Sequence, residues 1–234
     1  AACCGREVKI EVAIPGPDSV DAPVAHLGLV ALPYDRDSLL RVLEAQHPRP
    51  VALTRPMDSL FQLFRGPFVV YAAAAFRLGA AERALEYRKA ALDSLSRSSP
   101  RYDSLYRAFA TATDSFTVLR QRRDAAQHTL AEYRNRVSPA LDSLRALMSA
   151  WEDSTYRGYD SLTKALGTGL GREPIADSTD AIGKLTLRLP SGDWWIYARS
   201  WDTWDPNSEW YWNVPVRSER IVLDRSSGHR RPRY

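Results

Sequence analysis

Residues 80–157 read AAERALEYRKAALDSLSRSSPRYDSLYRAFATATDSFTVLRQRRDAAQHTLAEYRNRVSPALDSLRALMSAWEDSTYR, a stretch without a single glycine between Gly79 and Gly158. Its only prolines, Pro100 and Pro139, each follow a serine. Glycine and proline are the residues that interrupt helices, so their absence over this length predicts a long helical block. Apolar side chains recur at 3-4 spacing through it. A first helix over roughly 68–98 carries Tyr71, Ala74, Leu78, Ala81, Leu85, Leu92 and Leu95, with Arg88 as the polar exception. A second, roughly 101–137, carries Leu105, Phe109, Phe116, Leu119, Leu130 and Val137, with Arg123 intruding. A third, roughly 140–166, carries Leu141, Leu144, Met148, Trp151, Leu162 and Leu166. Such seams are those of paired helices. Ser99-Pro100 and Ser138-Pro139 suit an N-cap followed by a first-turn proline, so both are read as helix starts, with a kink at Pro139 as the alternative. At ~1.5 Å per residue the helices run to ~40–55 Å, longer than a small β domain is wide.

The flanks of this block read as strands. Val8, Ile10, Val12 and Ile14 alternate with Glu7, Lys9 and Glu11, predicting a half-buried strand before Pro15-Gly16-Pro17. Val24–Leu32 is a second candidate strand, and Asp37–Gln46 a short helix closed by His47-Pro-Arg-Pro50. Beyond the block, Gly167–Asp180 reads as a linker. Lys184–Leu189 and Trp194–Trp201 read as a hairpin, and Trp210–Val216 and Arg220–Leu223 as two more strands. The expected fold class is α+β: an antiparallel β-sandwich of N- and C-terminal strands with an inserted helical coiled-coil arm of two to three long helices. The expected limits are 1–5 for an N-terminal anchor segment, 6–54 and 171–224 for the two parts of the sandwich, 55–170 for the arm, and 225–234 for a mobile basic tail.

The run Gly183-Lys-Leu185-Thr-Leu187-Arg-Leu189-Pro-Ser-Gly192-Asp-Trp194-Trp-Ile196-Tyr-Ala198 resembles carboxypeptidase-regulatory-like (prealbumin-like, Cna-B-like) β-sandwich modules. In these, a glycine opens an alternating strand, a Pro-x-Gly turn follows, and an aromatic-rich strand ends in alanine. The resemblance implies a sandwich that stabilises, spaces or binds and does not catalyse. Starch-binding domains share a related shape, which adds a glycan as an alternative ligand.

Composition narrows the function. The 234 residues carry a net charge of +4, with lysine only at Lys9, Lys89, Lys164 and Lys184. Acidic residues interleave with the arginines along the helices, which describes a solvated surface and argues against nucleic acid. The two cysteines, Cys3 and Cys4, are adjacent. Their Cα atoms, ~3.8 Å apart, lie closer than a disulfide accepts. Ala1-Ala2-Cys3 resembles the end of a bacterial lipobox, which implies an acylated Cys3 and a lipid-anchored protein on the periplasmic side of the envelope. No uninterrupted apolar run reaches the ~18 residues of a membrane span; the longest, Pro67–Phe76, ends at Arg77.

Six of the seven tryptophans fall between Trp194 and Trp212. Trp201, Trp204, Trp210 and Trp212 flank or follow the loop Asp202-Thr-Trp-Asp-Pro-Asn-Ser-Glu209, and are the candidate partner-binding residues, since tryptophan is enriched at interface hot spots. Asp202, Asp205, Asn207 and Glu209 offer oxygen ligands for calcium, but Pro206 and the lack of a turn glycine weigh against it. The four histidines are scattered, with no zinc spacing. Gly167-Thr-Gly-Leu-Gly171 follows a helix, the reverse of a dinucleotide loop, and no Gly-x-Ser-x-Gly elbow occurs. The sequence therefore predicts no enzyme, no cofactor and no metal. It predicts an accessory or scaffolding subunit whose partners are the lipid bilayer and the subunits of a membrane protein complex. A photosynthetic reaction-centre or light-harvesting assembly is the specific expectation, though no residue singles it out; the alternative is a glycan- or cell-wall-binding module.

Overall fold

The computed structural model describes residues 5–16 and 20–233, so Cys3 lies outside the described residues. The chain is α+β, with two sheets and long helices, and divides into two compact units. One comprises residues 1–58 and 142–234, the other residues 59–141.

The first sheet is organised by β1 (Arg6–Pro15), the alternating strand read from the sequence. β1 pairs antiparallel with β2 (Asp21–Pro23) and β5 (Lys184–Leu189), and parallel with β8 (Arg220–Leu223). Val8 lies opposite Leu187, and Ile10 lies opposite both Leu185 and Ile221. A period of two thus places one apolar row on one face. Gly183 sits just before β5 at φ 74°, where an added Cβ would lie 2.8 Å from the carbonyl oxygen of Val12. Only glycine fits there, a physical reason for the glycine that opens the motif.

The second sheet is antiparallel, in the order β4 (Ile175–Ser178), β3 (Gly28–Leu32), β6 (Trp195–Trp201), β7 (Ser208–Pro215), β9 (His229–Pro232). A single apolar cluster joins Val8, Ile10 and Val12 of the first sheet to Leu29, Ile196 and Trp212 of the second. Strands from the two ends of the chain are hydrogen-bonded to each other in both sheets.

Among the described residues four helices accompany the sheets: α1 (Arg36–Gln46), α2 (Val51–Asp93), α3 (Tyr102–Thr155) and α4 (Tyr159–Leu170). Several sequence expectations change here. The helix expected from residue 68 starts at Val51, and Gly66-Pro67 does not break it, because the buried Met57 and Phe61 continue the 3-4 row backwards from Phe64 and Phe68. Ser138-Pro139 does not start a new helix; α3 runs through it. Val137 and Met148, 8% and 1% exposed, hold the chain helical on both sides, so burial outweighs the local cost of the proline. The glycine run is helical as far as Leu170, and the stop is Gly171 in the left-handed region. Residues 175–178, expected as linker, form β4, and the expected mobile tail forms β9.

The helical unit is confined to residues 59–141, narrower than the expected 55–170. The end of α3 belongs with the sheets instead. There the Trp151 indole donates to the carbonyl of His47 at 3.2 Å, and the Tyr156 hydroxyl donates to Glu44. Within residues 59–141 the apolar residues named for the first two helices are half-buried, and Leu92 and Val137 are buried. The intruding Arg88 and Arg123 are engaged locally, by the carbonyl of Ala84 at 3.2 Å and by Asp124 at 3.0 Å.

Candidate functional site

Alternation along β6 and β7 sends Ile196, Ala198 and Trp212 into the apolar cluster, and Tyr197, Arg199, Glu209 and Tyr211 to the opposite face. That second face is also covered. Tyr211 is 1% exposed and Glu209 2%. The cover is α1, whose first turn is tied to β7: the Tyr211 hydroxyl donates to Asp37, and the Asn213 amide donates to Asp35 at 2.6 Å. Asp35 is the N-cap, accepting from the Asp37 amide at 3.1 Å, so one carboxylate both starts the helix and docks it. Burial raises its pKa, but hydrogen bonds from Ser38 and Asn213 outweigh that and hold it below the ordinary aspartate value.

Arg36 inserts into the layer so formed. Its guanidinium stands 4.6 Å from the Tyr197 ring centroid and 5.7 Å from that of Tyr159, and donates to the Tyr211 hydroxyl at 3.1 Å. Burial pushes Tyr159 up to about 12 and raises Tyr211, so both remain neutral donors throughout the physiological range.

The register of β9 explains the charges beside it. Glu209 lies between Trp201 and Arg231, and Tyr211 between Arg199 and His229. Glu209 accepts from Arg199 at 2.8 Å and from Arg231 at 2.8 Å. One residue along, Arg230 points to the other face and pairs with Asp202 and, at 2.9 Å, with Asp205. The acidic loop that suggested calcium is therefore neutralised by arginines of the tail. Asp202 and Asp205 additionally accept the Trp204 and Asn207 amides at 2.7 and 3.0 Å. Among the described residues no group of carboxylates, histidines or cysteines is arranged to hold a metal.

At the end of this layer α1, the end of α3, and β6, β7 and β9 enclose a cavity of about 440 Å³. Five arginines line it: Arg36, Arg49, Arg199, Arg231 and Arg233. Three carboxylates face them, Glu44, Glu152 and Glu209, with Leu40, Tyr156 and Pro232 as the apolar wall. Burial raises the Glu152 pKa, against the pull of Arg49, and pushes Tyr156 up to about 12.

The four tryptophans do not make one surface. Trp201 is 68% exposed, with the guanidinium of the cavity-lining Arg233 4.0 Å over its ring. Trp204 is half-buried in the loop. Trp210 packs on the apolar cluster, its ring 6.3 Å from that of Trp212. Trp212 is fully buried and donates to the Asp224 carbonyl at 2.9 Å, so it is a core residue with nothing to offer a partner. The arginine cavity went unread in the sequence. Its residues are spread from Arg36 to Arg233, and the usable signals were only the Arg36, Leu40, Glu44 spacing on one helix face and the alternation of Arg231 and Arg233.

Compared with protein families, curated proteins and solved structures, the chain matches none. The resemblance to carboxypeptidase-regulatory-like modules thus rests on residues 183–198 alone.

The helical unit presents a different surface. Leu63 and Val70, and Val69 and Phe76, are spaced by seven along α2 and are 57%, 62%, 40% and 53% exposed. α2 holds an 18-residue window of mean hydropathy 1.2 with no more than two charged residues, 6% of it buried. By length and composition alone this window would suffice to cross a membrane, although no uninterrupted apolar run in it is that long.

Proposed function

We propose that the chain is a non-enzymatic accessory subunit of a bacterial envelope: a β-sandwich carrying a coiled-coil arm, anchored through an acylated Cys3, that stabilises a membrane protein complex. The observation that carries this reading is the exposure of the large apolar residues Leu63, Val69, Val70 and Phe76 within a largely unburied apolar stretch of α2, because exposed apolar surface of this kind favours a partner over water. A protein partner suits it better than the bilayer interior. The chain enters the helical unit at residue 59 and leaves it at 141, so a span by α2 would oblige α3 to recross, and α3 carries Arg120, Arg122, Arg123, Asp124, Glu132, Arg134 and Arg136. An apolar helix of another subunit, laid along this stretch, fits both facts.

Affinity purification of the tagged protein from solubilised membranes tests the role. Wild type should bring down the subunits of one membrane complex, and the double variant Val70→Glu, Phe76→Glu should not while remaining folded. Recovery of wild type as a lone soluble monomer overturns the reading. Mass spectrometry of the mature N-terminus tests the anchor separately.

Glycan binding is the second reading, favoured by the exposure of Trp201. Its ring already carries the Arg233 guanidinium on one side, so a sugar would take the other face or displace the arginine. Trp201→Ala should abolish retention on a polysaccharide resin; no retention of wild type on a broad glycan panel removes this alternative.

A further inference from the structure

The arginine cavity lies wholly within the unit of residues 1–58 and 142–234 and is independent of the apolar stretch of α2. Its five guanidiniums and three carboxylates leave an excess of two positive charges. Two of the carboxylates are already engaged. Glu209 is shared by Arg199 and Arg231, and Glu44 holds the Tyr156 hydroxyl with Arg49 at 3.6 Å. Arg36 and Arg233 have no carboxylate at ion-pair distance among the described residues. They rest against aromatic rings and donate to the Tyr211 hydroxyl at 3.1 Å and to the Pro206 carbonyl at 3.0 Å. Cations withdrawn from water without a counter-charge are costly, and a ligand bringing two negative charges would relieve that cost.

The chemistry of the walls selects the ligand. Planar guanidinium forks match the oxygens of phosphate and carboxylate, and a charge excess of two matches a phosphate monoester better than a monocarboxylate. Leu40, Tyr156 and Pro232 offer an apolar side to an organic group, and about 440 Å³ lies within the range of small-molecule sites.

We propose that this cavity binds a small phosphate monoester as its dianion, with Arg36, Arg49 and Arg233 holding the phosphate. The phosphate could belong to a soluble compound or to a lipid headgroup, and the test separates them. Calorimetric titration of the full chain with glycerol 3-phosphate, with glycerol and acetate as controls, reads the soluble source. Flotation with phosphatidylcholine vesicles, with and without phosphatidic acid, reads the lipid source.

Saturable one-site binding of glycerol 3-phosphate, or capture only by vesicles containing phosphatidic acid, supports the proposal and names the source. Arg49→Gln and Arg233→Gln should each weaken binding about tenfold or more, whereas Arg134→Gln, on the exposed face of the helical unit, should leave it unchanged. Arg49→Lys, which keeps the charge and loses the fork, should fall between and serves if a glutamine variant does not fold. Absence of binding in both arms, or equal affinity in Arg49→Gln and Arg134→Gln, overturns the proposal. Either result leaves the accessory-subunit reading standing, since the apolar stretch of α2 is untouched.

Discussion

Replacement of Arg230 by alanine would test whether the C-terminal tail is part of the fold. Arg230 pairs with both Asp202 and Asp205, whose side chains are 8% and 6% exposed, while its own is 27% exposed. Breaking a buried ion pair from one side costs ~3–5 kcal/mol, because the remaining charge stays out of water. The partial exposure of Arg230 lets some water in, so about 2–4 kcal/mol is expected here. That is a large part of the ~5–15 kcal/mol that holds a domain together. Urea unfolding followed by tryptophan fluorescence is a direct assay, since Trp194 and Trp212 are buried in the core. With a slope on the order of 2 kcal/mol/M, the midpoint should fall by roughly 1–2 M. Adding Asp202→Asn and Asp205→Asn to Arg230→Ala should recover much of the loss, because asparagine keeps the caps on the Trp204 and Asn207 amides without the charge. A shift below ~0.3 M for Arg230→Ala would refute the reasoning and return residues 229–233 to the status of a loose tail.

Leu130 is half-buried in the α3 row and Arg134 is exposed, so Leu130→Ala should cost about 1–2 kcal/mol and Arg134→Ala less than ~0.5, read as melting temperatures; equal small effects would mean the seam is uncovered. Gly183→Ala should destabilise by about 1–3 kcal/mol from its backbone conformation alone, and further through contact with the Val12 carbonyl; a neutral result would deny the close approach. Asp224 accepts from the Ser226 hydroxyl at 2.6 Å and from the Ser227 amide at 3.0 Å, and the Ser226 bond is the main cause holding its pKa below 3.8. A lowered folded pKa gives stability that is complete above the unfolded value and is lost as pH falls through the folded one. Asp224→Ala should thus cost ~1 kcal/mol at pH 7, and the gap to wild type in chemical denaturation should narrow below pH 3.8; a pH-independent gap would contradict it.

Patterns of short range were legible from residue order. Val8 to Ile14 alternate because one face of β1 is buried and the other wet, and that demand is written into consecutive residues. Lys184–Leu189 and Arg220–Leu223 were read to the residue for the same reason, and the glycine-free stretch specified helix. Where two local signals competed, only packing decided between them. Ser138-Pro139 has the chemistry of a helix start, yet the burial of Val137 and Met148 makes the chain helical across it. The tail shows the limit most plainly. His229–Pro232 carries no apolar alternation and reads as mobile, but its arginines are strand residues because Asp202, Asp205 and Glu209, some twenty positions earlier, are buried charges that need them. The cavity is likewise a product of register. Arg36, Arg199 and Arg231 meet only after β6, β7 and β9 have paired and α1 has been tied down through Asp35, and a contact that depends on pairing between distant segments leaves no trace in the spacing of any one of them.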